Sequence, residues 1–286
     1  MHVLVAGAGW LGSAVARALR ARGDRVTAVR RDGARLRDLA AVGVETLALD
    51  LAEPGTAERL PAGVDAVVAA QSAGGDAPDP YRRAYVDVNR NLLEVARRQP
   101  LRAYVYTGST GVFGQRDGSE VDEGTPPAPS SPAAEVLVEA EQLVLGASGR
   151  GVPSMVLRLS GIYGPGRAWP VERVRSGALT LGPGDGAFLN LCHLDDAVAS
   201  ILATLDRGAP GSTYHASDAR PVRRRELVEW VAARLGIAPP APSGATPYRG
   251  ADRRICADRT RAELGLELRY PSFREGLEAL LSGGWT

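Results

Sequence analysis

The stretch that decides the fold is His2-Val3-Leu4-Val5-Ala6-Gly7-Ala8-Gly9-Trp10-Leu11-Gly12. His2–Ala6 is a short apolar run suited to a buried parallel strand, and it leads directly into three glycines with GxGxxG spacing. Leu11, Val15 and Leu19 then recur at i, i+4 and i+8, which predicts a helix over Leu11–Arg22. In such a unit the first glycine permits a tight turn and the second lets backbone approach a diphosphate. The third lets the helix pack close to the strand, and the helix start offers free N–H donors. Glycines also punctuate ordinary strand–turn–helix units. Placement in the first βαβ unit of the chain favours the diphosphate over the bland turn.

Outward from this unit the same alternation continues. Arg25–Arg30, Val44–Leu49, Val64–Ala70, Ala103–Thr107 and Ser154–Leu159 read as strands. Arg31–Ala41, Tyr81–Arg98 (stopped by Pro100) and Ala133–Leu145 read as helices, and Gly114–Ser131 as loop. Past residue 160 the pattern is broken by Gly/Pro clusters at 161–170, 182–186 and 236–247, with a helix at Asp195–Leu205 and a strand at Thr213–Ala216. The expected fold is α/β, a Rossmann-type doubly wound parallel sheet. Residues 1–160 form the dinucleotide-binding domain, 188–216 return to it, and 161–286 build a smaller substrate-binding domain.

Composition narrows the partners. The 286 residues carry 34 basic and 33 acidic side chains, a net charge of +1, which gives no long-range pull toward nucleic acid or a membrane surface. The two cysteines, Cys192 and Cys256, form no CxxC pair, so neither a disulfide framework nor a structural zinc site is expected, and no metal site. The first residues lack the basic start and longer apolar core of a signal peptide, and no apolar run approaches the roughly 18 residues of a membrane span. The expectation is a cytoplasmic protein acting on a small molecule.

The end of the second strand reads the ribose of a bound dinucleotide. An Asp or Glu there accepts from a 2′-hydroxyl. This chain has Val29-Arg30-Arg31 instead, and a guanidinium pairs with a 2′-phosphate that a carboxylate would repel. NADP(H) is therefore the expected cofactor, with NAD(H) left open because Asp32 is close enough to swing in. Asp50, at the end of the third strand, is placed to accept from the adenine amino group. The expected cofactor-binding set is Gly7, Gly9, Trp10, Leu11, Gly12, Arg30, Arg31, Asp50, Leu51, Ala70, Gln71 and Thr107.

With GAGWLG at 7–12, YTGSTGVFG at 106–114, LRLSGIYGPGR at 157–167, NLCHLDDAV at 190–198 and the C-terminal RRICADRTRAELGLELRYPSFREGLEAL, the chain resembles an extended short-chain dehydrogenase/reductase of the NAD-dependent epimerase/dehydratase kind. The resemblance covers nearly the whole length. It implies a cleft between the two domains and pairing into a homodimer through helices 81–98 and 133–145. It also implies a Ser/Thr at the end of strand five, which Ser109 supplies, and a YxxxK pair on the next helix. Anchored on Glu141-Gln142 and Pro132, that helix has Ala133 at the tyrosine position and Leu137 at the lysine position. The usual relay, in which a lysine lowers the pKa of a tyrosine proton donor, is absent. The chain thus resembles the atypical branch of the superfamily.

Substitute groups lie in segments lining the expected cleft. Tyr163 is the best replacement phenol, with packing under a Gly/Pro turn as its alternative role; the expected catalytic set is Ser109 and Tyr163. His193, Asp195 and Asp196 form a cluster, in which Asp195 reads best as a helix N-cap. Glu120, Asp122 and Glu123 form an acidic loop, and Arg158, Arg167, Arg253 and Arg254 suit an anionic substrate. Arg223-Arg224-Arg225 reads as a solvent-facing cluster, and Cys192 as a buried small hydrophobe. Three readings stay open: an NADP(H)-dependent oxidoreductase or epimerase/dehydratase-like enzyme with a non-standard proton relay, a non-catalytic NADP(H) sensor or scaffold, and an isomerase or lyase with a structural dinucleotide.

Overall fold

A computed structural model describes residues 1–73, 77–182, 184–241 and 250–283. The chain runs β1 (His2–Ala6), α1 (Trp10–Ala21), β2 (Arg25–Arg30), α2 (Arg37–Ala40), β3 (Glu45–Ala48), β4 (Ala66–Ala69), α3 (Pro78–Tyr81), α4 (Val88–Arg98), β5 (Ala103–Ser109) and β6 (Arg116–Val121). It continues through α5 (Pro132–Ser148), β7 (Ser154–Leu159), β8 (Gly161–Tyr163), α6 (Trp169–Arg175), β9 (Phe188–Leu189), β10 (Leu191–His193), α7 (Leu194–Arg207), β11 (Thr213–Ala216), β12 (Val222–Arg223), α8 (Arg224–Leu235), β13 (Asp252–Ile255), α9 (Asp258–Leu264) and α10 (Phe273–Ser282).

Seven strands form one parallel sheet in the order β11-β7-β5-β4-β1-β2-β3. The strand order reverses between β1 and β4, and ligands of such sheets sit in the crevice beyond the strand ends at that point. Side chains of a strand alternate between its faces. Val3 and Val5 join Val15, Leu19 and Ile201 on the α1/α7 face. Leu4 and Ala6 join Leu92, Leu93, Val136 and Val144 on the α4/α5 face. A third core, with Tyr163, Val171, Leu191, Val228 and Leu277, holds α6, α8 and α10 together. Among the described residues no helix is long and apolar enough to cross a membrane.

Three expectations need correction. The segment Gly114–Ser131 is not all loop: β6 lies in it and pairs in parallel with β13. Its residues Arg-Asp-Gly-Ser-Glu-Val have no strand composition, and a partner about 130 residues away makes the strand, so no local pattern marks it. The helix over Arg31–Ala41 is reduced to a 3₁₀ turn at Gly33–Leu36 and the four-residue α2, because Asp32 caps Ala34 and Gly43, at φ +81, ends the run. The helix over Tyr81–Arg98 starts earlier, at Pro78, and its second turn, Arg82–Asp87, is π-helical. The Gly/Pro clusters at 182–186 and 236–247 fall partly outside the described residues.

Candidate functional site

The turn between β1 and α1 is shaped by its glycines. Gly7 sits at φ +94, and a Cβ there would lie 2.5 Å from Gln71 Cα, while one on Gly12 would collide with the Gly7 carbonyl oxygen. A Cβ on Gly9 would meet only that oxygen, at 4.0 Å, so packing within the protein does not require this glycine. Gly9 instead lines a cavity of about 660 Å³ and forms the N-cap of α1, whose first turn holds no acidic residue. Free backbone donors, partial positive charge and an open approach suit an anionic diphosphate.

The same cavity is lined by Gly7, Val29, Arg30, Arg31, Asp32, Leu49, Asp50, Leu51, Ala52 and Gln71. Arg30 is held by a hydrogen bond from Nη1 to the Ala8 carbonyl at 3.0 Å, while Arg31 is exposed. Asp32 lines the cavity with its carboxylate engaged by its own turn. Its Oδ1 accepts from the Ala34 amide at 3.0 Å, and its Oδ2 lies 3.4 Å from Arg35 Nε. Both side-chain polar atoms of Gln71 are buried beside Gly7 without a hydrogen-bond partner among the described residues, so this amide has capacity for a ligand. When bound, a nicotinamide dinucleotide supplies or takes up a hydride; Gly7, Gly9, Arg30, Arg31, Asp50, Leu51 and Gln71 are the residues that would hold it.

Five residues of the expected cofactor set do not line this cavity. Gly12 lies beneath the turn, and Leu11 packs on the α1/α7 core. Ala70 is pinned by its amide to the Ala6 carbonyl, and the Thr107 hydroxyl donates to the Ala69 carbonyl at 3.1 Å. Trp10 fastens two segments: its Nε1 donates to the Pro165 carbonyl at 2.9 Å, and the Arg167 guanidinium lies 5.4 Å from its ring centroid. The GIYGPGR turn is thereby clamped onto the glycine turn.

Sequence reasoning missed the far wall, formed by Asp79, Pro80, Arg83, Ala84 and Val88. A 3.6-residue period cannot see a π-helical turn, so nothing in the pattern marked Arg83. Its Nη2 lies 3.0 Å from Asp50 Oδ2 and also pairs with Glu53. Asp50 Oδ1 accepts from the Ala52 amide at 3.0 Å. Burial raises the Asp50 pKa, but the Ala52 amide, Arg83 and Arg31 outweigh it and hold the carboxyl below its ordinary value.

Around the expected proton relay the polar groups have structural employment. Ser109 ends β5, half-buried, and its hydroxyl accepts from the Gly111 amide at 3.0 Å, leaving its own O–H free to donate. Leu137 is buried with Val112, Phe113, Val121 and Ile255. Four residues further along α5, Glu141 (2% exposed) receives a forked pair from Arg158 (4% exposed), at 3.0 Å from Nε and 2.8 Å from Nη2. Burial pushes the Glu141 carboxyl up against the pull of Arg158. Arg158 is thus tied to the frame through Nε and Nη2, while its buried Nη1 has no hydrogen-bond partner among the described residues. Arg253 reaches the opposite side of the same turn, donating from Nη2 to the Thr110 carbonyl at 2.7 Å.

The Tyr163 expectation does not hold. The ring is fully buried in the α6/α8/α10 core, and its hydroxyl lies so close to Gly276 that a Cβ there would collide with it. Burial, then Asp218, pushes the phenol pKa well up, so it is no base near neutrality. His193, rather than Asp195, is the side-chain cap of α7: its Nδ1 accepts from the Asp195 amide at 3.2 Å. Burial lowers the His193 pKa, Asp195 pairs with Arg269, and Asp196 accepts from the Arg269 and Tyr270 amides. The acidic segment is equally occupied. Asp122 organises its own turn through Gly124 and Thr125, and buried Glu123 accepts from the Thr260 amide and hydroxyl. Cys192 is buried and its thiol pKa pushed up by that burial, which makes it an unreactive core residue.

This fold, with a glycine turn opening on a cavity at the sheet's reversal point, defines a dinucleotide-binding α/β protein. The chain belongs to the NAD-dependent epimerase/dehydratase family, whose model matches residues 3–216. With the family comes an oxidoreductase- or epimerase-type role built on a nicotinamide cofactor. It is similar to a 3-diazoavenalumate denitrifying reductase from Streptomyces sp, 30% identical, covering 97% of this chain and 99% of the relative. A 2-alkyl-3-oxoalkanoate reductase from Stenotrophomonas maltophilia is 32% identical, covering 82% of this chain and 76% of the relative. A functionally unknown conserved protein from Silicibacter pomeroyi superposes with a TM-score of 0.80 at 28% identity, covering 100% of this chain and 99% of that one.

Proposed function

We propose that the protein is an NADP(H)-dependent oxidoreductase acting on a polar small metabolite, with Ser109 orienting the reacting oxygen. The proton relay is non-standard, since α5 carries neither a tyrosine nor a lysine. The observation that carries the cofactor choice is at the end of β2. Arg30 and Arg31 both line the cavity and together outweigh the single carboxylate there, Asp32, which accepts from the Ala34 amide and lies 3.4 Å from Arg35. The reductase relatives support reduction as the direction of chemistry.

Calorimetric titration tests this. NADPH is expected to bind about 10–100-fold more tightly than NADH, the range of one or two charge-assisted hydrogen bonds. Arg30→Ala combined with Arg31→Ala is expected to erase the preference. Equal affinity for the two dinucleotides in the wild-type protein, or no heat with either, overturns the proposal. A second reading, an NADP(H) sensor without turnover, draws on Ala133 and Leu137 standing where the relay would be. It predicts NADPH binding with no loss of NADPH absorbance against any panel of carbonyl substrates.

A further inference from the structure

The adenosine end of the cavity is bridged by charges. The loop after β3 brings Asp50 and Glu53 to one side, and the π-helical turn Arg82–Asp87 brings Arg83 to the other. Arg83 pairs with both carboxylates. The loop is itself tied to α4, because Asn91 Nδ2 donates to the carbonyls of Leu51 and Glu53, at 2.9 and 3.1 Å. The guanidinium is therefore held through Nη2 by two carboxylates of a braced loop. Its neighbours on the wall are Leu51, Ala52, Ala84 and Val88, an apolar slot suited to a planar base. A π-helical turn inside an α-helix commonly marks a functional position, since it re-aims the side chains it carries. Asp50, for its part, already accepts from the Ala52 amide and from Arg83.

We propose that Arg83 is a base-recognition residue: its guanidinium, steadied by Asp50 and Glu53, covers the adenine face. The inference rests on the dinucleotide reading under Proposed function. A guanidinium lying over an aromatic plane attracts it, and binds any base that presents the same face. The side chain is 45% exposed and its ion pairs lie at the rim, so its removal costs little folding stability.

Calorimetry with NADPH, NADH and adenosine 2′,5′-bisphosphate tests the assignment. Arg83→Ala is expected to weaken all three by a similar factor, about 3–30-fold, leaving the NADPH-to-NADH ratio unchanged and the melting temperature close to wild type. Arg83→Lys keeps a charge for Asp50 without the planar fork, and is expected to weaken binding likewise. Two outcomes overturn the inference alone: Arg83→Ala affinities within about twofold of wild type, or a loss confined to the 2′-phosphorylated ligands. Failure of the wild-type protein to bind either dinucleotide overturns this inference together with the proposed function.

Discussion

The two ends of the candidate site differ in what their polar groups are left to do. Around the β1–α1 turn, capacity is unspent: the Gln71 amide has no partner among the described residues, the start of α1 carries no acidic side chain, and Gly9 opens on a cavity. Around Leu137 and β6, the nearby carboxylates are engaged by the frame: Glu141 by Arg158 and Glu123 by Thr260. A buried polar group must find a partner inside the protein or in a ligand. The contrast therefore separates residues that wait for a ligand from residues that only look chemical.

The largest test of this contrast is Glu141→Ala, which leaves the Arg158 charge buried without its forked partner. A loss of about 3–5 kcal/mol in denaturant unfolding is expected, against under about 1 kcal/mol for Glu139→Ala, which breaks the half-exposed pair with Arg82. Similar losses for the two variants would mean that the buried pair is not the frame's anchor.

His215 gives the next effect. Burial depresses its pKa to about 4, overcoming the hydrogen bond from Nδ1 to the Cys256 carbonyl. The folded protein therefore keeps this ring neutral where the unfolded chain, titrating near 6.5, takes up a proton. Stability from this group is complete above about pH 6.5 and falls as pH drops toward 4, by up to about 3 kcal/mol. The carboxyls of Glu141, Asp196 and Asp218, raised by burial, act in the opposite sense. The measurement is thus the difference in pH slope between wild type and His215→Gln, which is expected to flatten the acid limb. Identical slopes would contradict a buried neutral His215.

Smaller effects probe the reacting centre. Ser109→Ala is expected to reduce turnover about 10–100-fold with the dissociation constant for NADPH unchanged, measured by steady-state kinetics beside calorimetry. Unaltered turnover would remove Ser109 from the chemistry. Tyr163→Phe is expected to leave turnover within about twofold of wild type, since the hydroxyl has no partner to lose. A tenfold or larger loss would restore the phenol as a proton carrier.

Much of the fold is legible in local pattern. The short apolar run His2–Ala6 and the 3.6-residue spacing of Leu11, Val15 and Leu19 appear in the structure as β1, buried between two cores, and α1, packed on one of them. The β6 strand was not legible, because its partner is β13 rather than a neighbour in sequence. Nor was the cap of α7, since His193 performs with a ring nitrogen what Asp195 was expected to do with a carboxylate. Arg83 escaped because the π-helical turn shifts it out of the helical phase on which the reading relied.

From the residues alone came the strand–glycine–helix unit, the guanidiniums at the end of β2 and the non-titratable pair at 133 and 137, because each is a property of a few consecutive positions. Only the tertiary structure decided which polar side chains face the cavity and which are used up. Thr260 on Glu123 and Arg83 on Asp50 come from distant segments. Whether a polar group is free depends on what the rest of the chain brings to it.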